Sequence, residues 1–175
     1  SYKKAIRDAE KFIRSRNKLL AFNSLENRMQ VAAIDQNLAP LSYQIIEKRK
    51  VFINELNTYL PNTFKQLFEE VHELKIDPLS RFYNFSEAEI LDFYQKNQAK
   101  DFERKITSYG VHRDDYLFLF DGMNSYEYCS LGQQKMSFLS LLFAYIELFR
   151  YKFNSYPIVL IDDVSGELDG KRWKN

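Results

Sequence analysis

Two adjacent carboxylates, Asp162 and Asp163, follow an unbroken apolar run at residues 157–161. In open α/β sheets, ligands bind at the carboxyl ends of strands. One carboxylate there can hold a Mg²⁺ ion bridging two phosphates, and a second can position or polarise an attacking water. A continuous apolar run is also what a strand buried on both faces of a parallel sheet requires. The competing reading is a strand capped by a solvated acid pair.

A second group precedes it: Ser130, Leu131, Gly132, Gln133 and Gln134 stand before a long apolar stretch. Ser130 and Gln133 have the spacing of a capping box, in which each side chain satisfies a free backbone N–H at a helix start. That pairing does not account for Gly132, a poor helix former in a first turn. A glycine there lets a phosphate approach exposed N–H groups, where the helix dipole also favours an anion.

The elements that must position these groups can be read from periodicity. Residues 2–22 predict an amphipathic helix, with Ile6, Ala9, Ile13 and Leu20 on one face, flanked by Ala5, Phe12 and Leu19. Residues 25–60 predict a second helical region with Leu41, Ile45, Phe52, Leu56 and Tyr59 at helical spacing and a kink or restart at Pro40. A short polar turn between them points to an antiparallel hairpin, an arm rather than a globule. A short strand is expected near residues 71–76, and Ser86 with Glu89 opens a third helix running to about residue 105. Asp121 and Gly122 favour the positive φ angles of a tight hairpin after the apolar run 116–120, with Tyr126 and Tyr128 expected on the returning strand. The stretch 136–149 is too short to span a bilayer, contains Glu147, and predicts a buried helix that Asn154 and Ser155 end.

Composition excludes several classes. The 175 residues are 45% hydrophobic and 28% charged, as in globular proteins, and 5 Gly with 4 Pro argue against a disordered chain. A net charge of +1 carries no message about partners, so any nucleic-acid signal must be local. The single cysteine, Cys129, excludes an internal disulfide and fits a reducing cytoplasm. A chain opening at Ser1, with its first methionine at Met29, reads as a fragment.

A local signal exists on the first helix. Lys3, Lys4, Arg7, Lys11, Arg14 and Lys18 fall in one stripe opposite the apolar face. A helix of that length spans about 30 Å at 1.5 Å per residue, enough to follow several phosphates. Lysines on an exposed helix face are also commonly just solvated. Arg16 projects toward the apolar side and is expected to cap or pair internally.

In order, a glycine-bearing helix start, one helix and a strand ending in paired acids resemble the second half of an ABC-type ATPase head. Residues 130–134 resemble the signature motif of the RecF family of DNA replication and repair ATPases, residues 158–163 its Walker B strand, and residues 164–169, with Glu167, Leu168 and Asp169, its D-loop. Gly110, His112, Arg113, Asp114 and Asp115, followed by Leu117, Phe118 and Leu119, resemble another family segment. Arg16, Asn17, Leu19, Leu20, Asp35 and Leu38 resemble its arm helices. Val111 stands where the family usually has Pro, Leu131 where Gln is common, and Gly166 at the D-loop serine position, with Ser165 one residue early.

The resemblance implies a mixed α/β fold. A mainly helical arm at 1–105 (lobe II) would precede a partial ATPase head at 106–175 containing a buried strand. It implies ATP and Mg²⁺ as cofactors: Asp162 in the Mg²⁺ shell through water, Asp163 as general base, and Ser130, Gly132, Gln133 and Gln134 reaching nucleotide held by a second subunit, with Glu167 and Asp169 in the D-loop. It further implies an ATP-dependent homodimer that binds DNA at gaps, RecR and RecO as partners, RecA loading, a place in the SOS response, and no membrane. A phosphate loop needs Gly-x4-Gly-Lys-Ser/Thr. The only Gly-Lys pair here is Gly170 and Lys171, followed by Arg172, with Gly166 one residue too close. The parent would be an ATPase whose nucleotide site is incomplete in this chain, which alone is expected to be inactive. The alternatives are a non-catalytic arm that binds DNA or a partner, and a head like those of structural-maintenance-of-chromosomes proteins, which the short arm disfavours.

Overall fold

A computed structural model describes residues 1–160. Asp162, Asp163, Glu167 and Asp169 lie outside the described residues, as do Ser165, Gly166, Gly170 and Lys171. The described chain forms two compact units: Ser1–Lys50 with Pro78–Asp115, and Val51–Asp77 with the described residues from Tyr116 on.

The first unit is built on helix α1, Tyr2–Leu20, and the first part of helix α2, Leu25–Phe68. They form the expected antiparallel hairpin: Arg16 pairs with Asp35, and Arg49 Nε donates to the Tyr2 hydroxyl at 3.1 Å. Helix α3, Glu87–Arg104, starts at a complete Ser86–Glu89 capping box and ends at Lys105 in the left-handed region. Ala5, Ala9, Ile13, Leu38, Ile45, Ile46, Phe82, Ile90 and Tyr94 form the core of this unit. Pro40 lies inside α2, which is unbroken there. Proline leaves the carbonyl of Gln36 without its amide donor. Gln36 is exposed, so water can take that carbonyl, while Leu38, Ala39, Ile45 and Ile46 hold the helix in the core.

In the second unit the later part of α2 packs Ile53, Leu56, Leu60, Phe64 and Phe68 against Leu74, Ile76, Phe120, Met136, Leu139, Ala144 and Leu148. Strands β1 (Leu74–Leu79), β2 (Asp115–Phe120) and β3 (Met123–Asn124) form one sheet in the order β1-β2-β3. Strand β1 lies a few residues later than expected because its edge position tolerates Pro78, which has no amide to donate. Asn57 of α2 meets β1 directly: its Nδ2 donates to the Ile76 carbonyl at 3.0 Å and its Oδ1 accepts from the Ile76 amide at 2.8 Å. Phe120 pairs with Met123 across the two-residue turn, where Asp121 has φ 48° and Gly122 φ 78°. His72 and the Glu73 amide both bond the Asp121 carboxylate, at 2.7 and 2.8 Å, which holds its pKa below the usual range, the backbone bond contributing most.

Three expectations fail here. Tyr126 and Tyr128 are not on a returning strand but in the short helix α4, Ser125–Tyr128, because the Asn124 side chain accepts from the Tyr126 amide and turns the chain. Helix α5, Leu131–Phe153, does end at Asn154 in the left-handed region, yet it is buried on one face only, and Phe138 is 60% exposed. Over residues 157–160 no strand is formed, and Ile158 and Leu160 are each 95% exposed. A strand needs partners for its backbone groups, and no described strand runs beside these residues.

Candidate functional site

The start of α5 has the geometry that the sequence implied. The Ser130 Oγ accepts from the Gln133 amide at 3.3 Å, and Gln133 Oε1 accepts from the Ser130 amide at 2.9 Å. Ser130 is exposed and Gly132 half-buried, at the positive end of a 23-residue helix. This arrangement fits an anion. The Ser130 hydroxyl also donates to Gln133 Oε1 at 3.1 Å, so a phosphate oxygen taking that proton must displace the glutamine oxygen. Gln134 is turned elsewhere: its Nε2 donates to the carbonyls of Tyr126 and Cys129, at 3.3 and 3.1 Å, tying α4 to the start of α5.

In the other unit, all six residues of the basic stripe, Lys3, Lys4, Arg7, Lys11, Arg14 and Lys18, are exposed. Their partners are few and weak. Arg7 Nε reaches the Lys3 carbonyl at 3.4 Å, and Lys11 stands 3.9 Å from Asp8. Exposed pairs of this kind hold a side chain by well under about 1 kcal/mol, leaving it available to a phosphate.

Arg16 lies on the opposite face and is fully buried. Its Nε donates to Asp35 at 2.7 Å, and its Nη1 to Asp101 at 2.7 Å and to Thr107 Oγ1 at 3.0 Å. Asn17 Oδ1 accepts from both the amide and the hydroxyl of Thr107, at 2.8 and 2.7 Å. One guanidinium thus serves two buried carboxylates. Burial, reinforced by the Asp101 charge, pushes the Asp35 carboxyl up, and the Arg16 bonds only partly offset it. The Tyr94 ring lies 5.6 Å from this guanidinium, and its hydroxyl meets Ser42 Oγ at 3.2 Å. Internal pairing of Arg16 was legible in the sequence, but Asp101 and Thr107 were not. Only an arginine on an apolar helix face signalled that buried carboxylates must exist.

The segment 110–115 is likewise tied inward. Arg49 Nη1 bonds Asp114 at 2.5 Å and the Val111 carbonyl at 3.0 Å. His112 Nε2 lies 3.3 Å from the Thr107 carbonyl. Gly110 has φ 148°, and a Cβ there would meet His112 Nδ1 and the Tyr94 hydroxyl at 3.0 Å.

This chain is similar to curated proteins named RecF. It is 34% identical over 142 residues to the DNA replication and repair protein RecF of Clostridium botulinum (strain 657 / Type Ba4), covering 80% of this chain and 39% of that protein. The chain belongs to the RecF family. The RecF of Clostridium tetani (strain Massachusetts / E88) is 30% identical over 171 residues, or 94% of the chain and 47% of that RecF. The chain therefore spans less than half the length of these RecF relatives. Among solved structures, that of the recombination mediator protein RecF-ATP in the RecFOR pathway superposes with a TM-score of 0.84 at 24% identity, covering 99% of this chain and 48% of that RecF. The RecF-ATPrS structure of the same pathway gives a TM-score of 0.80. Both share the fold of this chain. No protein-family profile matches it.

Proposed function

We propose that this RecF-family chain is the arm and the second half of the head of a cytoplasmic DNA-repair ATPase, whose ATP-bound dimer closes on DNA at gaps and aids recombinase loading with RecR and RecO. Residues 1–105 serve as the arm and 106–175 as the partial head. The observation that carries the reading is the capped start of α5, with Ser130, Gly132 and Gln133 set at the positive end of a long helix. There they reach the terminal phosphate of ATP held by the other subunit, so nucleotide joins the dimer. When bound, Mg²⁺ supplies charge neutralisation between phosphates. Asp162 would hold its water shell, and Asp163 would accept the proton of the attacking water. The exposed stripe from Lys3 to Lys18 supplies sequence-independent phosphate contacts to DNA.

The test is Ser130→Arg in a full-length RecF-type protein carrying this sequence. Monomer ATP binding should be unchanged and ATP-driven dimerisation abolished, read by sedimentation. A normal ATP-dependent dimer would remove the trans contact. The stripe also favours a second reading, a non-catalytic arm that binds DNA without turnover. It predicts DNA binding that is indifferent to nucleotide.

A further inference from the structure

The turn at the end of the basic stripe carries an aromatic residue whose placement no packing requirement explains. Phe22 is 76% exposed, and Leu25 and Met29, close behind it in sequence, are 76% and 67% exposed. A single exposed hydrophobe needs no explanation. Three on one turn and the start of the following helix form a patch.

The turn beneath them is pinned. Asn27 Nδ2 donates to the Phe22 carbonyl at 2.8 Å and to the Leu19 carbonyl at 3.0 Å. The Asn27 amide bonds Ser24 Oγ at 3.1 Å, and Arg28 Nε bonds Asn23 Oδ1 at 2.7 Å. The backbone that presents Phe22 is therefore preorganised, which lowers the entropy lost when the ring meets a ligand.

Its place in the chain is set by the end of α1. The Phe22 amide donates to the Leu19 carbonyl at 3.3 Å, which closes a tight three-residue turn directly after α1. Phe22 stands four residues after Lys18 and two beyond the end of α1, so it follows the stripe of Arg7, Lys11, Arg14 and Lys18 along the chain. A row of exposed cations is thus followed, at the next turn, by an exposed aromatic ring.

We propose that Phe22, flanked by Leu25 and Met29, is a stacking site for an unpaired DNA base, taken up when the phosphates of the same DNA lie along the stripe. The inference rests on the reading of the stripe as a DNA surface and adds the feature of DNA that the arm distinguishes: a break in stacking. Cations in line with an aromatic suit single-stranded nucleic acid, because phosphates follow the charge and every base has a π-face. Leu and Met beside the aromatic are the residue types that wedge between loosened base steps. A peptide partner fits less well, because a peptide's apolar anchors need a groove and this patch sits on a turn.

The experiment uses the 175-residue chain with two fluorescent DNAs, a blunt duplex and the same duplex with a single-stranded gap holding 2-aminopurine. The wild-type chain should bind the gapped DNA more tightly and quench the 2-aminopurine. Base stacking on an aromatic is worth about five- to 150-fold per base, and a solvent-exposed ring belongs at the low end. Phe22→Ala should therefore lose about five- to 20-fold on gapped DNA, leave blunt-duplex affinity unchanged and abolish the quench. Phe22→Trp should keep all three properties, and circular dichroism should show both variants folded. If Phe22→Ala matches wild type on both DNAs with the quench intact, the stacking site is refuted while the stripe stands, and the patch is left to a protein partner. If the triple reversal Arg7→Glu, Lys11→Glu, Arg14→Glu changes neither affinity, the stripe itself fails and the stacking site with it.

Discussion

Replacing Arg16 with Met tests whether the buried charge cluster of the arm is as dry as its geometry implies. Arg16 and Asp35 have no exposed side-chain surface and Asp101 only 3%, so the substitution strands two carboxylates away from water. Breaking a buried pair by removing one partner costs about 3–5 kcal/mol. At about 2–4 °C per kcal/mol for a chain of this size, the melting temperature should fall by about 6–20 °C. The loss should depend on pH with a defined sign. The folded Asp35 carboxyl is already raised by burial, and Arg16 supplies the influences that lower it. Without Arg16 its folded pKa rises further above the unfolded value of about 3.9. The native state then binds the proton more tightly. Its stability is fully present below the unfolded pKa and is lost as pH rises through the folded pKa. The variant should therefore lie closer to wild type near about pH 5 than near about pH 8. Thermal melts by far-ultraviolet circular dichroism at the two pH values, with hydrogen exchange of the α1 amides, measure both effects. Adding Asp35→Asn and Asp101→Asn to Arg16→Met should recover most of the loss, because neutral groups are cheaper to bury. A penalty under about 1 kcal/mol for Arg16→Met alone would mean that water reaches the cluster, and the reasoning would be wrong.

Other outcomes follow from the same features. Reversing Arg7, Lys11 and Arg14 to Glu should weaken binding to every DNA sequence and flatten a salt slope that, with all six stripe residues engaged, is at most about −5; affinity measured across a salt series checks it. Gly110→Ala should destabilise by about 1–3 kcal/mol, since φ 148° and the 3.0 Å approach of His112 and Tyr94 both oppose a Cβ; chemical denaturation reads it. In a full-length protein, Asp163→Asn should retain ATP binding and stabilise the dimer, whereas Asp162→Asn should weaken Mg²⁺-ATP binding, and equal losses by calorimetry would merge the two roles. The 175-residue chain alone should show no Mg²⁺-dependent ATP turnover above background, because it carries no lysine-bearing phosphate loop.

Where one side chain answers a neighbouring backbone group, the sequence was legible. Ser86 with Glu89, Ser130 with Gln133, and Asp121 with Gly122 each specify a local bond or a positive φ, and each forms as expected. Tyr126 and Tyr128 misled because aromatic alternation suits a strand, while a single bond from the Tyr126 amide to Asn124 suffices to start a helix. Pro40 does not restart the helix, since the burial of its neighbours outweighs one missing hydrogen bond. The run 157–161 announces a strand only when partner strands are present, and hydropathy cannot state whether they are. The acid pair beyond it lies outside the described residues, so its chemistry rests on resemblance. Asp101 and Thr107 were invisible because they meet Arg16 from more than eighty residues away.

The bond between Asn57 and β1 has a consequence for association. A side-chain amide offers one donor and one acceptor, the same pair that a peptide group offers to a neighbouring strand. At Ile76, Asn57 therefore stands in for one peptide unit of a fourth strand. The outer edge of β1 is closed at that point, and any foreign strand pairing there must first expel a helix-borne amide making two good hydrogen bonds. Pro78, two residues on, has no amide to give such a strand. Asn57→Leu would leave the Ile76 amide and carbonyl bare beside an apolar side chain and turn a guarded edge into a template for self-association.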